Sequence, residues 1–157
     1  MIVITPETEK HKSVFLAGTI DDGKSLNWQN ELIEKFKGKD IDLKIYNPRR
    51  KHWISNVDKK ELEYQITWEQ DYLDKADVIV MVLLDDSKSP ISLLELGLYA
   101  TSKKLLVFCT DKFYRFDNVR LTCEKYHIPL FTSIDTNLIF NKIIDKLNSD
   151  EEPKEFC

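Results

Sequence analysis

The strongest constraint on the fold is a regular alternation of short apolar runs with amphipathic stretches of ten or more residues. The run DVIVMVLL at 77–84 is the most apolar and shows no polar alternation, which is typical of a central strand in a parallel sheet. Strands that alternate with helices indicate βαβ units. The pattern therefore predicts an α/β fold: a doubly wound, five-stranded parallel sheet, flavodoxin-like, in the order 2-1-3-4-5, with helices on both faces.

The boundaries follow from apolar periodicity and from glycine and proline breaks. The predicted strands are 13–18, 41–48, 77–84, 104–110 and 128–133. The predicted helices are 25–38, 59–76, 90–103, 119–127 and 136–148. We expect residues 1–148 to form a single domain and residues 149–157 to be a charged C-terminal tail. Ligands of such folds bind beyond the carboxyl ends of the strands, so the site is expected in the loops at 18–25, 46–58, 84–91 and 110–119.

Composition excludes several classes of function. A net charge of −4 gives no general attraction to nucleic-acid polymers or to anionic membranes, and no apolar run approaches the length of a membrane span. The odd number and wide spacing of Cys109, Cys123 and Cys157 argue against a disulfide framework, so a cytoplasmic location is expected. Neither HExxH nor CxxC occurs, so we expect no metal site, and nothing in the sequence implies a cofactor.

Residues 18–25, GTIDDGKS, match the phosphate-binding loop G-x-x-x-x-G-K-S. Such a loop points backbone N–H groups at phosphates, whereas Asp21 and Asp22 would repel them. A pair of unit charges at 4 Å interacts with about 1 kcal/mol in water and about 4 kcal/mol at a dielectric constant near 20, and Lys24 offsets only one carboxylate. Two interpretations remain open: a small P-loop nucleotide kinase or NTPase, and a polar turn in which Ser25 caps the next helix.

The stretch SPISLLELGLYA at 89–100 opens the helix that follows the central strand. If Ser92 is the N-cap, Glu95 completes a capping box. If Pro90 is instead the first helical residue, with Ser89 as the N-cap, Glu95 falls in the second turn among leucines. A carboxylate held there, near the ligand edge of the sheet, is a candidate nucleophile.

Five stretches in order carry a family resemblance: FLAGTIDDGKSLNWQ (15–29), YNPRRKHW (46–53), WEQDYLDKADVIV (68–80), SPISLLELGLYA (89–100) and FYRFDNVRLTC (113–123). With these stretches the chain resembles the nucleoside 2-deoxyribosyltransferases, particularly their short, nucleoside 2-deoxyribosyltransferase-like branch. The resemblance implies the same doubly wound fold and an enzyme that cleaves the N-glycosidic bond of 2′-deoxynucleosides or their 5′-monophosphates. It implies that the deoxyribosyl group passes through a glutamate ester to another base or to water.

The resemblance also implies roles for single residues. Glu95 matches the nucleophilic glutamate, Gly97 matches a glycine that lets a ligand or a neighbouring backbone approach, and Gly18 would line the sugar pocket. The better-known members carry Asp-x-Gly-Thr before the glutamate, and the aspartate binds a sugar hydroxyl. Ser89 stands at that aspartate's position here, which leaves deoxyribose and ribose both open. Phe15 stands where those members often have a tyrosine.

Cleavage of an N-glycoside needs a carboxylate at C1′ and an acid that protonates the departing base. Asp85 and Asp86, at the end of the central strand, are the acid candidates, or else solvated loop residues. Glu69 falls on one helical stripe with Leu62, Ile66, Leu73 and Ala76, so we expect it to face inward as a pocket residue or in a structural pair.

Asn47, Arg49 and Arg50 follow the second strand at the ligand edge. Because arginine grips phosphate with a planar fork of donors, these residues are predicted to hold a 5′-monophosphate, with a solvated basic turn as the alternative. Trp53 is a candidate for stacking on the base, with a packing role as the alternative.

Arg115 and Asn118 lie in a loop that could close over the site or reach into a neighbouring subunit. That arrangement fits an expected homodimer or higher homo-oligomer that acts on a nucleoside or nucleotide. A non-catalytic nucleotide-sensing module on the same fold is the remaining alternative.

Overall fold

The computed structural model describes residues 2–4, 12–50 and 57–149, which form one six-stranded sheet flanked by five α-helices. The strands are β1 (Ile2–Ile4), β2 (Ser13–Gly18), β3 (Lys44–Tyr46), β4 (Val78–Leu83), β5 (Leu105–Cys109) and β6 (Leu130–Phe131). The helices are α1 (Trp28–Gly38), α2 (Lys59–Lys75), α3 (Pro90–Tyr99), α4 (Phe116–Tyr126) and α5 (Thr136–Ser149).

The sheet order is β1-β3-β2-β4-β5-β6. Strands β3, β2, β4, β5 and β6 are parallel to one another, which confirms the predicted fold and its 2-1-3-4-5 order. The sequence analysis missed β1, which pairs antiparallel with β3 through Ile2 opposite Tyr46 and Ile4 opposite Lys44. A three-residue apolar run is too short for periodicity to separate it from a loop.

Helices cover both faces of the sheet, as predicted. One face packs on α1 and α5, and the other packs on α3, α4 and the end of α2. All six side chains of β4 are buried, which explains why that strand is apolar without alternation.

Only the second half of α2 faces the core. Leu73 and Ala76 are buried as expected, but Leu62 and Ile66 are 49% and 45% exposed, so the prediction of one continuous inward stripe is wrong. A helix of 17 residues is about 25 Å long, whereas a strand of six residues spans about 20 Å. The first turns of α2 therefore extend beyond the sheet.

The helix starts resolve two open interpretations. Helix α3 begins at Pro90 with Ser89 as the N-cap, so Glu95 lies in the second turn and completes no capping box. The expectation that Ser25 caps α1 is wrong. Asn27 is the N-cap of α1, and its side-chain oxygen accepts from the backbone N–H of Asn30 at 3.1 Å.

Two thiols lie in the core. Burial raises the pKa of Cys109 to about 12 and that of Cys123 to about 11, so both are protonated at neutral pH. Of the predicted tail 149–157, only Ser149 is among the described residues, where it ends α5. None of the helices in the described ranges is long and apolar enough to cross a membrane.

Candidate active site

The loop between β2 and α1 wraps around a cation. Arg49 is only 6% exposed, and its guanidinium donates to the carbonyls of Gly23, Ser25 and Leu26 at 3.0, 2.6 and 2.9 Å. A 3₁₀ turn at Asp21–Gly23 directs this part of the chain toward the guanidinium. We call residues 19–26 the Arg49-bound loop.

The Arg49-bound loop has the polarity opposite to that of a phosphate loop. Three of its carbonyl oxygens converge on a positive charge, whereas a phosphate loop converges N–H groups on a negative one. The match to G-x-x-x-x-G-K-S is therefore a match of sequence pattern and not of loop geometry. Because Arg49 is buried, the solvated basic turn does not describe it.

Thr19 ties the end of β2 to β4 and to α1. It is fully buried, and its N–H donates to the carbonyl of Val82 at 2.9 Å. Its carbonyl accepts from Trp28 Nε1 at 3.0 Å and from Gln29 Nε2 at 3.3 Å, while its hydroxyl oxygen accepts from the N–H of Leu84 at 3.0 Å. These contacts fix the ligand edge of the two central strands.

Glu95 on α3 and Glu69 on α2 form a carboxyl pair with unusual electrostatics. Burial, followed by the charge of Glu69, raises the pKa of Glu95 to about 8. Burial also raises the pKa of Glu69, against a hydrogen bond from Gln65 and the charge of Arg50, which both lower it. Because burial disfavours the ionised form of both carboxyls and the charge of Glu69 adds to this at Glu95, Glu95 keeps its proton into the neutral range.

Aromatic residues lie on the same two helices as the pair. Tyr99 lies one turn after Glu95 on α3, and its hydroxyl donates to Asp74 of α2. Burial and the charges of Asp74 and Glu95 raise the pKa of Tyr99. Trp68 precedes Glu69, and its ring lies 6.2 Å from that of Phe15, the residue at the family's tyrosine position. The pair therefore lies in a partly apolar setting that favours neutral groups.

Asp85 and Asp86 lie elsewhere on the sheet edge. They line a cavity of about 590 Å³ together with Asp21 and Lys24, and that lining includes neither Glu69 nor Glu95. The Asp85 carboxylate accepts from the hydroxyl of Thr110. The structure thus brings Glu69, rather than either aspartate, to the candidate nucleophile.

Gly97, Arg115 and Asn118 line a second cavity of about 300 Å³ between α3 and α4. At 100° per residue, Gly97 lies about 200° around α3 from Glu95, so this cavity opens on the other side of the helix. Within the described residues, no atom lies within 4 Å of the place where a Cβ of Gly97 would be. The space that the resemblance implies is thus present, but away from the carboxyl pair.

The described residues contain no group of three or more His, Cys, Asp or Glu side chains that could hold a metal ion.

Comparison with known proteins decides the family. Residues 11–113 match the family model described as nucleoside 2-deoxyribosyltransferase like. The chain belongs to the nucleoside 2-deoxyribosyltransferase-like family. Membership supports a function of that kind and does not favour a P-loop kinase or a sensor.

The structural comparison agrees on the fold. The chain is similar to the crystal structure of a conserved protein from Enterococcus faecalis V583, with a TM-score of 0.50 and 15% identity. The match covers 90% of this chain and 99% of that one. No curated protein matches the chain by sequence.

The remaining site predictions stay predictions, and the structure shows where most of the residues concerned lie. Gly18 has φ of 122°, and a Cβ there would lie 2.2 Å from the carbonyl oxygen of Val82, so glycine permits the close approach of β2 and β4. Asn47 accepts from the N–H of Arg49 at 3.0 Å. Arg50 pairs with Glu61 of α2 at 3.0 Å, and Trp53 lies outside the described residues.

Sequence reasoning missed Tyr99, Thr19 and Ser87. Tyr99 could have been found, because a residue four positions after the candidate nucleophile shares its helix face. Thr19 and Ser87 carry no local signal, since their importance comes from contacts between residues more than 60 positions apart.

Proposed function

We propose that this protein cleaves the N-glycosidic bond of 2′-deoxynucleosides or their 5′-monophosphates, with Glu95 as nucleophile and Glu69 as the acid. The observation that carries the proposal is the half-buried carboxyl pair, in which burial raises the pKa of both groups and the charge of Glu69 raises that of Glu95 further. Pairs of carboxyls whose environments separate their protonation states are how enzymes cleave glycosides.

In the first step the carboxylate of Glu95 attacks C1′, and the bond from C1′ to the base nitrogen breaks. The departing base takes a proton from Glu69, which leaves a sugar ester on Glu95 and a carboxylate on Glu69. In the second step another base or water attacks C1′. Glu69 accepts the proton of that acceptor, and Glu95 is released as a carboxylate.

The free protein begins with one proton shared by the pair. Because Gln65 and Arg50 both favour the charged form of Glu69, the proton rests on Glu95 until substrate arrives. Attack then requires that proton to pass to Glu69, from which it reaches the base. A nucleophile that is protonated at rest is thereby inactive without a bound substrate.

Arg50 is the arginine that we assign to a 5′-phosphate. It contributes to the electrostatics of Glu69 and its side chain is partly exposed, whereas the donors of Arg49 are engaged by loop carbonyls. A phosphate would compete with Glu61 for the guanidinium of Arg50.

We further propose that the enzyme is a cytoplasmic homodimer or higher homo-oligomer. Exposed apolar side chains of α2 and α3 border the carboxyl pair: Leu62, Ile66, Ile91, Leu94 and Leu98. A second copy of the chain covering them would remove this apolar surface from water and exclude water from the pair.

The deciding experiment supplies each deoxynucleoside and deoxynucleotide, with and without a second free base, and follows released and exchanged bases by chromatography. Exchange in the absence of added metal supports a transferase, and release alone supports a hydrolase. A 2-fluoro-2-deoxynucleoside should add one sugar mass to the peptide that contains Glu95. Sugar on another peptide would overturn the assignment, and tight ligand binding without base release would indicate the sensing module.

A matched pair of arginine variants tests the phosphate. Arg50→Gln should weaken 5′-monophosphates by about 1.5–3 kcal/mol, the scale of a hydrogen bond to a charged group, and leave nucleosides nearly unchanged. Arg120→Gln, an exposed arginine on α4, is the control. An equal loss for nucleosides and nucleotides would show that Arg50 has a structural role.

A further inference from the structure

A chain of buried hydroxyl groups connects the Arg49-bound loop to Ser89, the N-cap of the helix that carries Glu95. Ser87 donates to Asp21 Oδ1 at 2.7 Å, and Ser87 Oγ lies 2.7 Å from Ser89 Oγ. Ser89 Oγ in turn lies 2.7 Å from Thr19 Oγ1. The three hydroxyl residues are each less than 10% exposed.

The Asp21 end of this chain fixes its direction, because each hydroxyl has a single hydrogen to donate and Ser87 gives its own to Asp21. A backbone N–H can only donate, and Leu84 donates to the hydroxyl oxygen of Thr19. An ionised carboxylate can only accept, and Asp21 accepts from Ser87. The hydrogens between them therefore point one way: Thr19 donates to Ser89, and Ser89 donates to Ser87. The only hydrogen on the Ser89 hydroxyl is used inside the protein.

This chain holds Ser89 in a backbone conformation that its own sequence disfavours. Ser89 has φ of 45° and ψ of 53°, the left-handed region, which is unfavourable for a residue other than glycine. The following Pro90 also biases Ser89 toward extended conformations. Two hydroxyl contacts offset these preferences, and helix α3 starts directly after them.

The direction of α3 determines where the carboxyl of Glu95 lies. Glu95 is six residues past Ser89, or about 9 Å along the helix axis. A tilt of about 10° at Ser89 would displace it by about 1.6 Å, and a misplacement of about 1 Å can reduce an enzymatic rate about a hundredfold.

We propose that Asp21, Ser87 and Ser89 are positioning residues that set the start of α3 and thereby place Glu95 against Glu69. This inference rests on the proposed function, because it assigns the purpose of the placement to glycosidic cleavage. It also gives Ser89 a role other than contact with the sugar: Ser89 supports the nucleophile through the helix that follows it.

Kinetics of base release test the proposal. Ser89→Ala and Asp21→Ala should lower kcat by about 10–100-fold with KM within about threefold. Asp21→Asn keeps an oxygen that can accept from Ser87 and should stay within about threefold of the natural protein. Ser13→Ala is the control, because Ser13 is another buried serine, bonded to Asp77 at the opposite edge of the sheet.

Ser89→Gly separates positioning from strain and guards against a Ser89→Ala protein that fails to fold. Glycine adopts the left-handed conformation at little cost but has no hydroxyl. We expect Ser89→Gly to fold and to lose kcat as Ser89→Ala does. Full activity of Ser89→Gly would show that the hydroxyl chain positions nothing, and an equal loss of kcat in Ser13→Ala would show general loosening.

A titration that needs no activity distinguishes failure of this inference from failure of the proposed function. Carbon NMR of labelled glutamate carboxyls should show one resonance, absent in Glu95→Gln, with a midpoint near the raised pKa of about 8. In Ser89→Ala and Asp21→Ala that midpoint should fall by about one pH unit or more, and in Ser13→Ala it should not. If no nucleoside releases its base, the proposed function fails while the titration still decides the positioning. An unmoved midpoint would overturn the inference.

Discussion

Two regions beside the same edge of the sheet differ in the partners of their buried ionisable groups. In the Arg49-bound loop, a buried cation donates to three carbonyl oxygens. In the carboxyl pair, Glu95 faces a group of its own sign, and no described side chain forms an ion pair with it. A buried charge whose hydrogen bonds are made stabilises the fold. A buried carboxyl that faces a like charge has a shifted pKa, which is typical of functional sites. This difference supports our proposal that the loop has a structural role and that the carboxyl pair carries the reaction.

The largest expected effect is the loss of base release when the carboxyl pair is changed. Glu95→Gln should lower base release by at least about a thousandfold, or about 4 kcal/mol of barrier, because a neutral amide is a poor nucleophile. The folded protein should still bind ligand and keep its thermal stability at neutral pH, since Glu95 is protonated there and the amide has nearly the same shape and no charge. Glu124→Gln, an exposed glutamate on α4, serves as the control in the same assay. Near-normal turnover by Glu95→Gln would place the chemistry elsewhere.

Changes in the Arg49-bound loop should lower the stability of the fold, whereas changes in the carboxyl pair should lower the rate. Arg49→Met leaves three carbonyls without their donor and should lower the free energy of unfolding by about 3 kcal/mol, measured by denaturant titration. Arg49→Lys should recover only part of this, because one ammonium cannot reproduce the planar fork. Arg120→Met, on the surface of α4, should change stability by less than about 0.5 kcal/mol. A stable Arg49→Met protein that loses only its affinity for nucleotides would return Arg49 to phosphate binding.

Substrates with different leaving groups can separate the role of Glu69 as acid from that of Glu95 as nucleophile. Glu69→Gln should lower kcat about a hundredfold for ordinary nucleosides, within the range typical of general acid catalysis. A 2-deoxyriboside whose leaving group needs no proton should restore the rate of Glu69→Gln but not that of Glu95→Gln. Glu63→Gln, exposed on the same helix, is the matched control. If both pair variants respond alike to the leaving group, Glu69 is not the acid.

Stability should also depend on pH through the pair. The folded protein holds a proton on Glu95 up to a pKa of about 8, whereas the unfolded chain releases it near the ordinary value of about 4.3. The folded state therefore binds more protons between these values, and the free energy of unfolding should fall as pH rises, by at most about 1.4 kcal/mol per pH unit. Glu95→Gln should flatten this slope. A slope that is unchanged in Glu95→Gln would mean that other groups cause it.

The smallest effect is expected from the lysine of GTIDDGKS. Lys24→Ala should leave base release within about tenfold, or about 1.4 kcal/mol, and activity should persist in excess chelator. Magnesium-dependent hydrolysis of ATP or GTP that Lys24→Ala abolishes would contradict both the family function and the carbonyl-lined geometry of the loop.

The alternation of apolar runs was enough to predict the sheet order, because strands buried on both faces, such as β4, carry an unmistakable composition. The second-turn position of Glu95 followed from one of two helix boundaries that proline chemistry offered. The partner of Glu95 could not be predicted from the sequence. Asp85 was near in sequence, whereas Glu69 is brought near only by the packing of α2 beside α3. The role of Arg49 was equally hidden, since its acceptors lie 23–26 residues earlier in the chain.

The two edges of the sheet have a consequence for how copies of this protein meet. Within the described residues, one edge strand, β1, has three residues, and the other, β6, has two. Such short edges offer few free N–H and C=O groups to an incoming strand, which disfavours the edge-to-edge stacking that begins fibril growth. In the homo-oligomer that we propose, copies would therefore meet through side chains on the helices, where mutation can change the geometry of association without exposing a strand edge.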